Sequence, residues 1–135
     1  LGQPEPKEGL AMTQLSINKS LEDGIELDSA GLVAATAAGD KFKNDGNTVL
    51  IVKNINAAAR TVNIAPQNAT QSVAGKGKMT KPAVAKSVSI DKLFMFGPFE
   101  PGEWNDGNGD VLVTYSADVG VTVGAFQLPK SHDRI

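Results

Sequence analysis

The sequence predicts an all-β, single-domain fold of about eight short strands, arranged as a sandwich, jelly roll or barrel. Three observations carry that prediction. Alternating apolar and polar residues with β-branched enrichment dominate from residue 48 onward. Turn signals separate the runs about every 8 to 15 residues. No segment combines a sustained helical apolar period with proper caps.

Thr48–Asn54 (TVLIVKN) reads as a well-buried strand, since its apolar run is continuous rather than alternating. Arg60–Ala65 alternates, placing Val62 and Ile64 on one face and Thr61 and Asn63 on the other. The link Ile55–Ala59 is short enough to predict a hairpin between these two strands. Ala85–Ile90 also alternates, with Val88 and Ile90 together. Lys92–Phe96 follows and stops at Gly97-Pro98, and Val111–Tyr115 and Val121–Leu128 complete the set. Thr13–Ile17 and Leu32–Thr36 are weaker strands, and the alanine-rich stretch Ala30–Ala38 fits a short helix about as well as a strand. Asp23-Gly24, Asp45-Gly46, Asp106-Gly107 and Asn108-Gly109 supply turn residues, and Pro98 and Pro101 interrupt pairing. Gln67–Lys81 is polar and poorly patterned and is expected to form a long exposed loop. Residues 1–11 are expected to be an extended N-terminal arm or leader, 12–128 the β domain and 129–135 a C-terminal tail.

With 5% aromatic residues, the core must be built mainly from Val, Ile, Leu and Ala. A formal net charge of -2 implies no polyanion-binding surface, so no nucleic-acid partner is expected. The absence of cysteine removes disulfides, thiolate catalysis and cysteine metal sites. No apolar run approaches the roughly 20 residues of a membrane span. Leu1–Gly9 has neither the basic start nor the apolar stretch of a secretory signal.

Catalytic candidates are few. The single histidine, His132, lies in the polar tail, and no G-x-S-x-G elbow offers it a nucleophile. One histidine without cysteine cannot assemble a zinc set. Gly75-Lys-Gly-Lys78 fails the Walker spacing in both registers, so Lys76, Lys78 and Lys81 are expected to form a solvated loop face, or else to contact an acidic partner surface. Asp106, Asn108 and Asp110 stand at alternate positions, as at the start of a calcium loop. Val111 then occupies the glycine position and Ala117 the glutamate position, which favours a plain turn. Asp40, Asn44 and Asp45 form a weaker polar loop of the same kind. Trp104 either plugs one end of the sandwich or stacks on a sugar, and a chain with so few aromatics favours the plug. Glu100 and Glu103 are the nearest approach to a glycosidase pair, but they flank Pro101 in a loop with no prepared cleft. Asn18-Lys-Ser20 and Asn68-Ala-Thr70 match the glycosylation acceptor pattern, which matters only in a secreted eukaryotic protein. The expectation is a protein that is not an enzyme and uses no cofactor.

Two stretches carry a resemblance. Gly39–Asn54 (GDKFKNDGNTVLIVKN) has a GD-x-F-x-N-x-G segment followed by a strand ending in Lys-Asn. Gly97–Asp110 (GPFEPGEWNDGNGD) has Gly-Pro-Phe-x-Pro and then an aromatic-Asn before an Asp/Gly turn. Over residues 39–65 and 88–128 the succession resembles small structural proteins of tailed-phage virions. That resemblance implies a jelly-roll-like fold and a place on the capsid exterior, as a decoration or cement protein that binds the major capsid protein. It also implies a homo-oligomer, with a trimer expected from closed symmetry. It carries over no functional residue. The residues expected to touch partners are Pro4 and Pro6 of the arm, Lys76, Lys78 and Lys81 of the loop, and Trp104. The competing expectation is a carbohydrate- or receptor-binding module of a fibre or secreted protein, with Trp104 exposed beside a groove.

Overall fold

The computed structural model describes residues 11–28, 30–68 and 70–129. Among them are twelve strands: β1 (Thr13–Gln14), β2 (Ile17–Lys19), β3 (Val33–Ala34), β4 (Asp40–Lys43), β5 (Thr48–Asn54), β6 (Arg60–Ile64), β7 (Thr70–Val73), β8 (Gly77–Thr80), β9 (Val84–Val88), β10 (Lys92–Phe96), β11 (Asp110–Tyr115) and β12 (Val121–Gln127). One helical turn, α1 (Pro101–Trp104), precedes β11. The strands form two five-stranded sheets and a separate β7–β8 pair. One sheet runs β1-β4-β11-β6-β9. The other runs β10-β5-β12-β2, with β3 also on β12. Setting aside β1, β2 and the β7–β8 pair leaves eight strands. Counted along the chain, these give one sheet of first, eighth, third and sixth and another of second, seventh, fourth and fifth, which is the strand order of a jelly roll. The expected β-sandwich of about eight principal strands is the architecture found.

The core lies between the sheets. Val62, Ile64 and Val88 project from one sheet and Leu50, Val52 and Val123 from the other, all at 0% exposure. Burying each such side chain contributes on the order of 1.5–3 kcal/mol, which compensates for the scarcity of aromatics. β5 explains its continuous apolar run in a second way. Its outward-facing Val49 and Ile51 form a smaller core with Phe126 of β12 and with Leu32, and Ile25 and Leu27 pack against it. The segment between β2 and β3 is therefore a cover laid over the outer face. It lies so close to β12 that a Cβ on Gly124 would collide with the Gly31 carbonyl.

Several expectations need correction. β5 and β6 do not form a hairpin: β5 pairs with β10 and β12, and β6 with β11 and β9. Ile55–Ala59 is an arch that carries the chain from one sheet to the other. Asn54, at 0% exposure, makes the arch. Its Nδ2 donates to the carbonyls of Ala58 (3.0 Å) and Val88 (2.9 Å), and its Oδ1 accepts the Asn56 N–H at 2.9 Å. The polar Asp40–Lys43 segment is a strand, because Asp40, Phe42 and Asn44 fall on one buried face at period two. Gln67–Lys81 is not a plain loop, since β7 and β8 pair within it around a turn in which Gly75 and Gly77 take positive φ. Ile90 leaves the strand that holds Val88 and stands 44% exposed in a turn. Ala30–Ala38 resolves towards strand, with Val33–Ala34 as β3.

Asn54→Ala removes the arch anchor and leaves the buried Val88 carbonyl, the Ala58 carbonyl and the Asn56 N–H without their partner. A loss of about 2–4 kcal/mol in urea unfolding is expected, with an unchanged folded baseline.

Candidate functional site

The loops at one end of the sandwich hold most of the residues singled out from the sequence. Pro101 opens α1 with its ring-fixed φ at the first turn, where no N–H is needed. The Glu100 carbonyl accepts the N–H groups of Glu103 and Trp104, each at 3.0 Å. That single turn drives Trp104 inward to 6% exposure. The indole meets Phe99 edge-on at a centroid distance of 5.3 Å, and Phe99 meets Phe42 of β4 at 6.0 Å. Trp104 therefore plugs the end of the core and offers no stacking platform to a sugar.

Asn44 and Asn105 lock this end. Asn44 Nδ2 donates to the Phe99 carbonyl at 2.9 Å and to Asn105 Oδ1 at 2.7 Å, and Asn105 Nδ2 donates back to the Asn44 carbonyl at 3.0 Å. The two stretches that carry the resemblance, far apart in the chain, thus meet as one interlocked unit.

The carboxylates around the lock are engaged locally. Asp106 Oδ1 accepts the N–H groups of Asp110 (2.9 Å) and Asn108 (2.8 Å), closing its own turn. Those bonds, from Asp110 first, hold its carboxyl below the ordinary carboxylate range. Asp110 is buried and receives Gln14 Nε2 at 3.1 Å, with Lys43 Nζ 3.6 Å away. Partial burial pushes the Asp45 carboxyl up, but hydrogen bonds from the Asn47 N–H, Gln127 and Thr48 outweigh it, and the net shift is downward. Among the described residues no group of three or more His, Asp or Glu gathers as a metal-holding set. Glu103 forms an ion pair with Lys81 at 3.3 Å, and the same ammonium lies 5.9 Å from the Trp104 ring centroid.

The predicted contact residues separate. Lys81 joins Trp104 at the base of the β7–β8 pair, where Asn68 also binds α1 through its N–H to the Glu103 carbonyl (3.0 Å) and its Nδ2 to the Gly102 carbonyl (3.2 Å). Lys76 and Lys78 are exposed at the far end of that pair. Pro4, Pro6 and His132 lie outside the described residues.

A second polar cluster centres on Asp40, which the sequence groups with Asn44 and Asp45 but the fold joins to Thr36 and Tyr115. The carboxylate is 1% exposed and accepts hydrogen bonds from Thr36 Oγ1, from the Thr36 N–H at 3.2 Å and from Tyr115 OH at 2.7 Å. It pins the Thr36–Gly39 turn to β4 and β11, where Gly39 at φ +103° passes too close to the Val113 carbonyl for any Cβ. Its signal was the period-two spacing from Asp40 to Phe42. A cleft of 340 Å³ lies where the chain crosses between the sheets, lined by Gln14, Leu15, Asn18, Gly31, Val33 and Gly124 among others, with no titratable side chain in its wall.

Comparison with protein-family models, curated proteins and solved structures finds no match to this chain. What fold and site define together is a β-sandwich of jelly-roll order whose buried polar groups hold loops in place.

Burial, and then the Asp40 charge, push the Tyr115 phenol far above its ordinary value of 10.0. Below that value both folded and unfolded chains keep the proton, so stability is independent of this group. Above it only the unfolded chain releases the proton, and stability should fall by about 1.4 kcal/mol per pH unit. Tyr115 is the single tyrosine, so the phenolate absorbance band should emerge only with unfolding, and Tyr115→Phe should flatten the alkaline loss.

Proposed function

We propose that the chain is a non-catalytic structural protein of a tailed-phage virion, one that binds the outer surface of the capsid and stabilises it as a homo-oligomer. The observation that carries this reading is the lock between Asn44 and Asn105, with Phe42, Phe99 and Trp104 beneath it. The residues that define the resemblance are the ones that interlock, so they read as the signature of a scaffold. The buried polar side chains support it. Asp40, Asn44, Thr48 and Asn54 serve turns, arches or strand ends, and Asp110 ties Gln14 of β1 to β11 with Lys43 of β4 alongside. A scaffold of this kind acts through the surface it presents, and many weak contacts in repeated copies add through multivalency. Lys76 and Lys78, exposed on a two-stranded projection, are suited to an acidic capsid surface.

The glycan-binding alternative rests on an exposed Trp104 and loses its platform when that indole is buried. The test is retention. The purified full chain is mixed with tailed-phage heads stripped of their own decoration and, separately, applied to a glycan array. Co-sedimentation with heads, together with a raised temperature of head disruption, is the result expected. Retention on the array and not on heads would overturn the reading.

A further inference from the structure

The sheet edges differ sharply in how they are protected. β1, β2 and β3 are only two or three residues long. Among the described residues β9 and β10, each of five residues, are the long edges without an outer partner, and they meet on the same side of the sandwich. β9 turns the small residues Ala85 and Ser87 outward. β10 turns out Leu93 and Met95, 54% and 66% exposed, on a strand without proline, glycine or bulge. A long edge strand bearing exposed apolar residues is a template for another strand. The opposite side of the same strand carries positive charge. Lys92 shares that side with Phe94, and Lys86 Nζ of β9 lies 5.7 Å from the Phe94 ring centroid. Neither lysine is in an ion pair among the described residues.

We propose that the free edge of β10 takes up an extended segment of a partner protein in which apolar residues alternate with acidic ones. Backbone groups of the incoming strand complete the ladder, its apolar side chains lie against Leu93 and Met95, and its carboxylates meet Lys86 and Lys92 on the other face. The side-chain period of two requires this alternation, because one face of the edge presents Leu93 and Met95 while the other presents Lys92, with Lys86 beside Phe94. A second copy of the chain is the poorer occupant: antiparallel pairing across a two-fold axis at Phe94 brings the two Lys86 side chains together. The proposal stands apart from the virion reading, since neither attachment to heads nor its absence decides it.

The probe is a capped heptapeptide alternating Val and Glu, with a Val and Lys counterpart as control, titrated into the isotopically labelled full chain at low salt. The Val/Glu peptide is expected to shift the β10 amides, to slow their exchange and to bind about tenfold or more tightly than the control. Met95→Lys should weaken that binding about tenfold, and Lys86→Glu should invert the preference, both with the remaining amide spectrum unchanged. Equal affinity for the two peptides, shifts away from β10, or no response at millimolar peptide overturns the proposal. Concentration-dependent protection of β10 without peptide also overturns it, in favour of a second copy.

Discussion

Burial of β5 on both faces is the constraint from which the rest of the structure follows. Its inner residues Leu50 and Val52 face the opposite sheet, while Val49 and Ile51 need a second cover. β12 meets β5 along seven rungs and contributes to both cores, through Val123 and Ala125 inside and Phe126 outside. A single sandwich layer cannot satisfy such a pair. The segment from Leu21 to Leu32 must therefore fold back over the sheet, and Gly31 and Gly124 permit it to approach.

Buried polar groups then decide where the chain turns. Within an apolar core, a donor or acceptor without a partner costs about 1–3 kcal/mol, so each such residue specifies one local geometry. Asn54 specifies an arch where a hairpin was equally short. Asn44 and Asn105 specify how α1 sits on the end of β4, which in turn directs Trp104 inward. Asp40 holds the turn that precedes β4. No buried side-chain polar atom of the described residues lacks a hydrogen bond. These residues have the burial of catalytic groups and the bonding of structural ones.

The fold class was legible because strand periodicity and turn chemistry are local signals. β5, β6, β10, β11 and β12 stand at or within a residue or two of where the alternation places them. The pairing was less legible. Whether Ile55–Ala59 turns within a sheet or arches between sheets depends on the partners of Asn54, and one of these, Val88, lies 34 residues away. β4 was hidden because, of its two inward positions, Asp40 and Phe42, the first is polar, as is the next residue in period, Asn44. β7 and β8 were hidden by polar composition, with glycines setting their turn. The plugging role of Trp104 was readable from the scarcity of aromatics, while its partner Phe99 and the asparagine lock required the long-range contacts of the folded chain.

The fold is a frame stiffened at one central strand pair, with the β7–β8 pair and the β10 edge at its margins. Native-state hydrogen exchange tests that description most directly. The amides shared by β5 and β12 should exchange only through global unfolding, with the same free energy as urea denaturation, while those of the β7–β8 pair and the outer side of β10 exchange through smaller openings. Exchange of the β5–β12 amides at rates comparable to the margins would contradict the account, because the doubly buried pair would then not be what holds the protein together.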